Sequence, residues 1–328
     1  MEYTDELESV PSPEHVEQVM NGLIDTVSGN EGFSSSQRYL EAVLHSSGII
    51  SYRQVGGTEG ILSSIADGAK AAIEYLKKMF RSIWDFFFKK EKKELDIKVE
   101  KALEDAKKAL DEVDKVKVTT ANADAALKKV DAAVNKLKDS PEKTKLKEKV
   151  KEAQENKDES RKVEITKAMP GEVFRAHYIN PSHNGIANYN INGSVTRLKE
   201  IKATAELEVA DDIQKIINGL TGYPESVVGI TDLASAHKYL DKANACKTVI
   251  ANSLKGIENE EAQYKRLIEE LEAKSKGERN GRANNKEEMT KLKNGLVMIT
   301  GIITETKKIL DNIIHVAKQV DKACVVVI

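Results

Sequence analysis

Apolar residues recur at intervals of three and four along most of the chain, the repeat that puts side chains on one helical face, so the expected class is all-α. The pattern is strongest in residues 61–93. There Ile61, Leu62, Ile65, Ala69, Ala72, Ile73, Leu76, Met79, Phe80, Ile83, Trp84 and Phe87 fall on one face, and Lys70, Glu74, Lys77, Lys78, Arg81 and Asp85 on the other. The stretch ends in Trp84, Phe86, Phe87 and Phe88 and is closed by Lys89, Lys90, Lys92 and Lys93. The spacing predicts a basic amphipathic helix with a wide apolar stripe, and such a stripe has to be covered. Three covers fit the pattern: the protein's own core, a partner protein, or a membrane surface, where Trp and Phe sit at the headgroup level and Lys meets anionic lipid. A membrane-spanning helix is excluded here, because charges interrupt the stretch every few residues and a span needs about 20 mainly apolar positions.

The helical repeat continues on both sides with different partners. Val99, Leu103, Ala106, Leu110 and Val113 repeat with 4-3 spacing, as do Ala123, Leu127, Val130, Val134 and Leu137 after Thr119-Thr120-Ala121-Asn122. This heptad-like seam predicts an exposed, coiled-coil-like Lys/Glu-rich bundle over 94–162. Ser140-Pro141-Glu142 starts its third helix, with Ser as the cap and Pro at the first helical position. Residues 163–195, rich in Pro, Gly, Asn and His, read as an irregular connector with a short strand pair; its His177 and His183 lack further metal-ligand spacing. Residues 196–328 form a helical domain dominated by a long antiparallel hairpin, 231–325. Its arms, 231–276 and 283–325, are separated by Gly277-Glu278-Arg279-Asn280-Gly281, and each spans roughly 60 Å at 1.5 Å per residue. Residues 1–60 carry only short helical patterns, such as Val16, Val19, Met20, Leu23, Ile24 and Val27, between Gly/Ser-rich breaks. They are expected to form a poorly ordered acidic leader.

Composition sharpens this outline. A chain of 328 residues exceeds one typical domain, so two or three folding units are expected. The net charge of −2 conceals a segregation: residues 1–69 carry 2 basic and 11 acidic side chains, residues 70–162 carry 26 and 20, and the remainder 23 and 22. An acidic leader therefore precedes a basic middle, a pattern suited to electrostatic contact between segments or with a partner. Two distant cysteines, Cys246 and Cys324, indicate neither a disulfide framework nor a zinc site and point to a reducing, cytoplasm-like compartment. The N-terminus lacks the apolar core of a secretory signal, and four residues follow Cys324 where a prenylation box has three. No GxGxxG, P-loop, HExxH, paired CxxC or GxSxG occurs. Gly56-Gly57-Thr58-Glu59-Gly60 lacks the Lys-Ser/Thr that would hold a triphosphate. The chain reads as non-enzymatic, with no cofactor or metal.

The first ninety residues carry a resemblance. An acidic leader, then SGNEGFSSSQRYLEAV, a Gly/Thr-containing extended stretch and a basic amphipathic helix ending in Trp and Phe resemble internal (inner-body or head-core) virion proteins of large tailed bacteriophages. Such proteins often carry an N-terminal propeptide that the prohead protease removes by cutting after Glu, with a small or aliphatic residue two positions before it. Ser12-Pro13-Glu14 and Gly57-Thr58-Glu59 fit that motif; Tyr39-Leu40-Glu41 departs from it in having Tyr at the first position. The resemblance covers about a quarter of the chain. It implies a structural protein of the capsid interior, in contact with other virion proteins, with packaged DNA through weak electrostatics and with the protease, and processed at Glu59, Glu14 or Glu41. The competing readings are a membrane-binding or pore-forming protein that acts through helix 61–88, and a cytosolic coiled-coil scaffold. In every reading the docking residues are Met79, Phe80, Ile83, Trp84, Phe86, Phe87 and Phe88 with Lys77, Lys78, Arg81, Lys89 and Lys90.

Overall fold

The structure, a computed structural model, describes residues 9–28, 34–50, 65–179, 191–205, 207–221, 223, 230, 232–275 and 282–327. It is all-α, and among the described residues there is no strand. The helices are α1 (Pro13–Ser28), α2 (Ser35–Ser46), α3 (Ile65–Arg81), α4 (Lys92–Asp114), α5 (Ala123–Lys136), α6 (Pro141–Glu155), α7 (Glu159–Ile179), α8 (Ile191–Thr204), α9 (Leu207–Leu220), α10 (Leu233–Glu258), α11 (Glu261–Ser275) and α12 (Arg282–Val327). A π-helical segment, Ser82–Glu91, joins α3 to α4 without a break. The chain divides into two compact units. The first gathers residues 1–94, 197–215 and 251–306; the second gathers 95–196, 216–250 and 307–328.

In the first unit the leader is not a loose tail. α1 and α2 form a helix pair that packs on α3 and buries Val16, Val19, Met20, Leu23, Leu40 and Leu44 with no exposed surface. Gly22 permits this approach, because a Cβ there would overlap the Ser36 carbonyl of α2 and lie 2.8 Å from Leu40 Cβ. α2 opens with a reciprocal capping box: Ser34 Oγ accepts from the Gln37 N–H at 3.1 Å, and Gln37 Oε1 accepts from the Ser34 N–H at 2.9 Å. The same Ser34 hydroxyl donates to Asp25 of α1 at 2.6 Å, tying the two helices together. Side-chain bonds attach the leader to the rest of the unit as well: Ser82 Oγ donates to the Ser9 carbonyl at 2.8 Å, and Lys293 Nζ of α12 to Asn21 Oδ1 at 3.1 Å. The expectation of a poorly ordered leader is corrected for these residues. The Gly/Ser breaks that prompted it fall mostly in 29–33 and 51–64, outside the described residues.

In the second unit α5, α6 and α7 form a three-helix bundle around Leu127, Val130, Val134, Leu146, Val150, Ala153 and Met169. α6 starts as its sequence predicts, with Ser140 Oγ accepting from the Lys143 N–H at 3.2 Å and Pro141 in the first turn. Two boundaries differ from expectation. The bundle does not end near 162: α7 runs to Ile179 through the supposed irregular connector, carrying Pro170 inside it. A helix-interior Pro loses one backbone bond and costs about 3 kcal/mol, and burial of Met169, Val173, Phe174, Ala176 and Tyr178 on the same helix outweighs that cost. Of the expected connector and strand pair, 163–195, residues 163–179 belong to α7 and 191–195 to α8, and 180–190 lie outside the described residues. The stretch expected as the first arm of a C-terminal hairpin, 231–276, is likewise not one helix, because Asn259 and Glu260 form a turn between α10 and α11. The stretch expected as the second arm, 283–325, lies in one continuous helix, since α12 has 46 residues, about 69 Å at 1.5 Å each.

Candidate functional site

The segment Ile65–Glu91 holds the docking residues, and the structure sorts them into an inner and an outer set. Met79, Ile83, Trp84, Phe87 and Phe88 are buried to 2 % exposure or less, and Phe80 to 7 %. Trp84 stacks on Phe80 with ring centroids 4.4 Å apart and meets Tyr264 of α11 at 5.6 Å. Phe87 and Phe88 make an edge contact at 5.0 Å. The Trp84 indole N–H donates to the Glu258 carbonyl at 3.4 Å, at the C-terminal end of α10. Of the three covers that the sequence leaves open, the aromatic end has the first: α11 and the end of α10 close over it within one unit. The π-helical turn contributes, because its wider turn brings Ile83, Trp84, Phe87 and Phe88 to one side. Each of these large side chains contributes about 1.5–3 kcal/mol by leaving water.

The cationic set is left outside. Lys77 is half-buried and pairs with Glu272 of α11 at 2.5 Å. Lys89 is bonded to Asp85, which raises its pKa, and approaches Glu261 at 3.8 Å. Lys92 reaches Glu258 at 3.4 Å. Phe86 is half-buried, with Lys90 Nζ 5.8 Å from its ring centroid. Lys70, Arg81, Lys90 and Lys93 are exposed and Lys78 half-buried, and among the described residues none of the five has an ion-pair partner. They form a cationic ridge, interrupted by the exposed Glu74, along the outer side of the helix that the aromatic residues anchor.

The candidate processing residues fall in different settings. Glu59 lies outside the described residues. Glu14 is exposed in the first turn of α1, and Glu41 is half-buried within α2. Around Glu14 the chain has a structural reason for its residues: Ser12 Oγ accepts from the His15 N–H at 3.2 Å, and Pro13 opens the helix. Ser12-Pro13-Glu14 is thus a helix start, like the identical triplet Ser140-Pro141-Glu142 at the start of α6.

Sequence reasoning missed one cluster altogether. His15 of α1 sits half-buried between two tyrosine hydroxyls, Tyr39 of α2 at 2.8 Å from Nδ1 and Tyr75 of α3 at 2.9 Å from Nε2. Burial lowers the His15 pKa and, with the neighbouring Tyr39, pushes Tyr75 up to about 12. No motif announces such a group, because its members are 24 and 60 residues apart. Elsewhere, an open groove at the α10–α11 turn is lined by Lys255, Glu258, Asn259, Glu261, Ala262 and Lys265. It lacks the apolar lining of a small-molecule site. Among the described residues no three His, Cys, Asp or Glu side chains are placed to hold a metal ion, and no helix is long and apolar enough to cross a membrane. No family model, curated protein or solved structure matches the chain.

Proposed function

We propose that the protein is a structural, non-enzymatic component packaged inside a bacteriophage head and matured there by proteolysis. The observation that carries this reading, beyond the resemblance of the first ninety residues, is the division of labour in 65–93. Its apolar stripe from Ala69 to Phe88 is consumed by internal packing, so what remains for a partner is a cationic ridge suited to phosphate oxygens or acidic virion proteins. Such a ridge binds weakly and without sequence preference, through release of counterions. Removal of residues 1–59, which carry 10 acidic and 2 basic side chains, strengthens that attraction. Cutting the chain after Glu59 does not by itself discard the leader, because α1 and α2 are held by buried side chains. The mature particle protein is then a nicked complex unless the leader is degraded.

Mass measurement on protein from the native particle tests this. Under denaturing conditions the expected species begins at residue 60; under native conditions the leader fragment is expected to travel with it wherever it has survived. An intact chain of 328 residues in the particle removes the maturation reading. Duplex-DNA binding by the full chain should weaken with salt, and Lys78→Ala with Arg81→Ala should lower the salt slope by about 1 for each phosphate no longer neutralised. A membrane-surface role through the same helix requires Trp84 and Phe87 to leave their packing. It predicts Trp84 emission that shifts to the blue only when anionic vesicles are added.

A further inference from the structure

We propose that His15 is a proton-operated clasp that holds the N-terminal helix pair α1–α2 onto α3. Satisfying the buried hydroxyl assigns who donates. A neutral imidazole has one N–H and one bare nitrogen, so one tyrosine has to donate to it and the other has to accept from it. Tyr75 is 3 % exposed, and the imidazole is its one hydrogen-bond partner among the described residues, so its buried O–H is satisfied by donating to Nε2. Tyr39 is half-buried; it accepts from the Nδ1–H and turns its own proton to water. This arrangement uses the neutral ring fully.

Protonation breaks it. The imidazolium carries an N–H on both nitrogens, so its new Nε2–H meets the O–H of Tyr75, and that buried hydroxyl loses its acceptor. Among the described residues no carboxylate is bonded to the ring to compensate the new charge. The groups against the ring from α2 and α3 are Tyr39 and Tyr75 themselves. Glu14, the residue before His15 on α1, and Glu305 of α12 act electrostatically on Arg197 of α8, whose side-chain bond goes to Glu200, and burial holds the imidazole pKa down. Because the folded-state pKa lies below the ordinary 6.5, the clasp stabilises the docked pair above about pH 6.5 and is lost as the pH falls through the folded-state value. One proton changes the opening equilibrium by up to about tenfold per pH unit within that window.

Hydrogen exchange on the full-length chain, corrected for intrinsic rates, tests the proposal alongside an NMR titration of His15. Amides of α1 and α2 should lose protection between about pH 7 and pH 5, while those of α12 keep theirs. His15 should titrate below 6.5. In His15→Gln, whose amide donates and accepts but does not titrate, the acid-induced loss should disappear. If His15→Gln does not fold, Tyr75→Phe decides: without the competing O–H, the His15 pKa should rise toward 6.5. A His15 that titrates at or above 6.5, an unchanged acid response in His15→Gln, or an unmoved His15 pKa in Tyr75→Phe overturns the clasp.

Discussion

Replacing Trp84 with Ala probes the packing of the first unit most directly. Trp84 is 1 % exposed, and a buried aromatic of its size removes about 200 Å² from water. At about 25 cal/mol per Å² this amounts to roughly 5 kcal/mol, close to the ~3–5 kcal/mol typical of Trp→Ala in a core. The stacked ring of Phe80 and the tilted ring of Tyr264 add about 0.5–1.5 kcal/mol each. The indole hydrogen bond, at 3.4 Å, is long and adds little. A domain has about 5–15 kcal/mol in total, so the variant should lose a third or more of its margin and should begin to expose α11 as well as the π-helical segment. Trp84 is the chain's single Trp, so the assay is denaturant unfolding followed by far-UV circular dichroism, with Trp84→Phe as an aromatic control expected to lose less. In the parent protein Trp84 emission should already be blue without lipid. A loss below about 1 kcal/mol, or water-like emission from the folded parent, would refute core packing of this side chain and return the aromatic end to an external partner.

Three further outcomes are expected. Gly22→Ala should destabilise the protein despite the ~1 kcal/mol that Ala gains over Gly in a helix, because the overlap with the Ser36 carbonyl is with rigid backbone and overpacking costs about 1–3 kcal/mol; thermal melting measures the sign. Spectrophotometric titration should find Tyr75 ionising near pH 12, with Tyr178, Tyr223 and Tyr239 also held above the ordinary range by burial. A raised tyrosine pKa stabilises the fold below about pH 10 and is lost as the pH climbs toward the folded-state value, so alkaline unfolding should begin in that window. Cys246 and Cys324 are buried and their thiols are pushed up to about 12, so labelling by a thiol reagent at about pH 8 should be slow in the native protein and fast in denaturant.

The repeat of apolar residues by itself determined that this chain is helical, and which side of each helix needs covering. Caps did the same for helix ends, as at Ser140-Pro141, because a cap is a local bond between residues three apart. What covers an apolar stripe is decided by residues far away in sequence: Trp84 meets Tyr264 and Glu258, and His15 meets Tyr75. No local pattern encodes those meetings, so the sequence left the docking helix with three partners and left the His15 cluster unseen. Local signals also misled where tertiary burial overrode them. Gly/Ser breaks made the leader look loose, although the apolar faces of α1 and α2 bury each other and part of α3. Pro170 made α7 look like a connector, although Met169, Val173 and Phe174 around it are core. The turn at Asn259–Glu260 carries no Gly or Pro, so a long repeat ran through it unmarked. Helical periodicity is a property of neighbours; burial is a property of the folded chain, and only the tertiary structure assigns it.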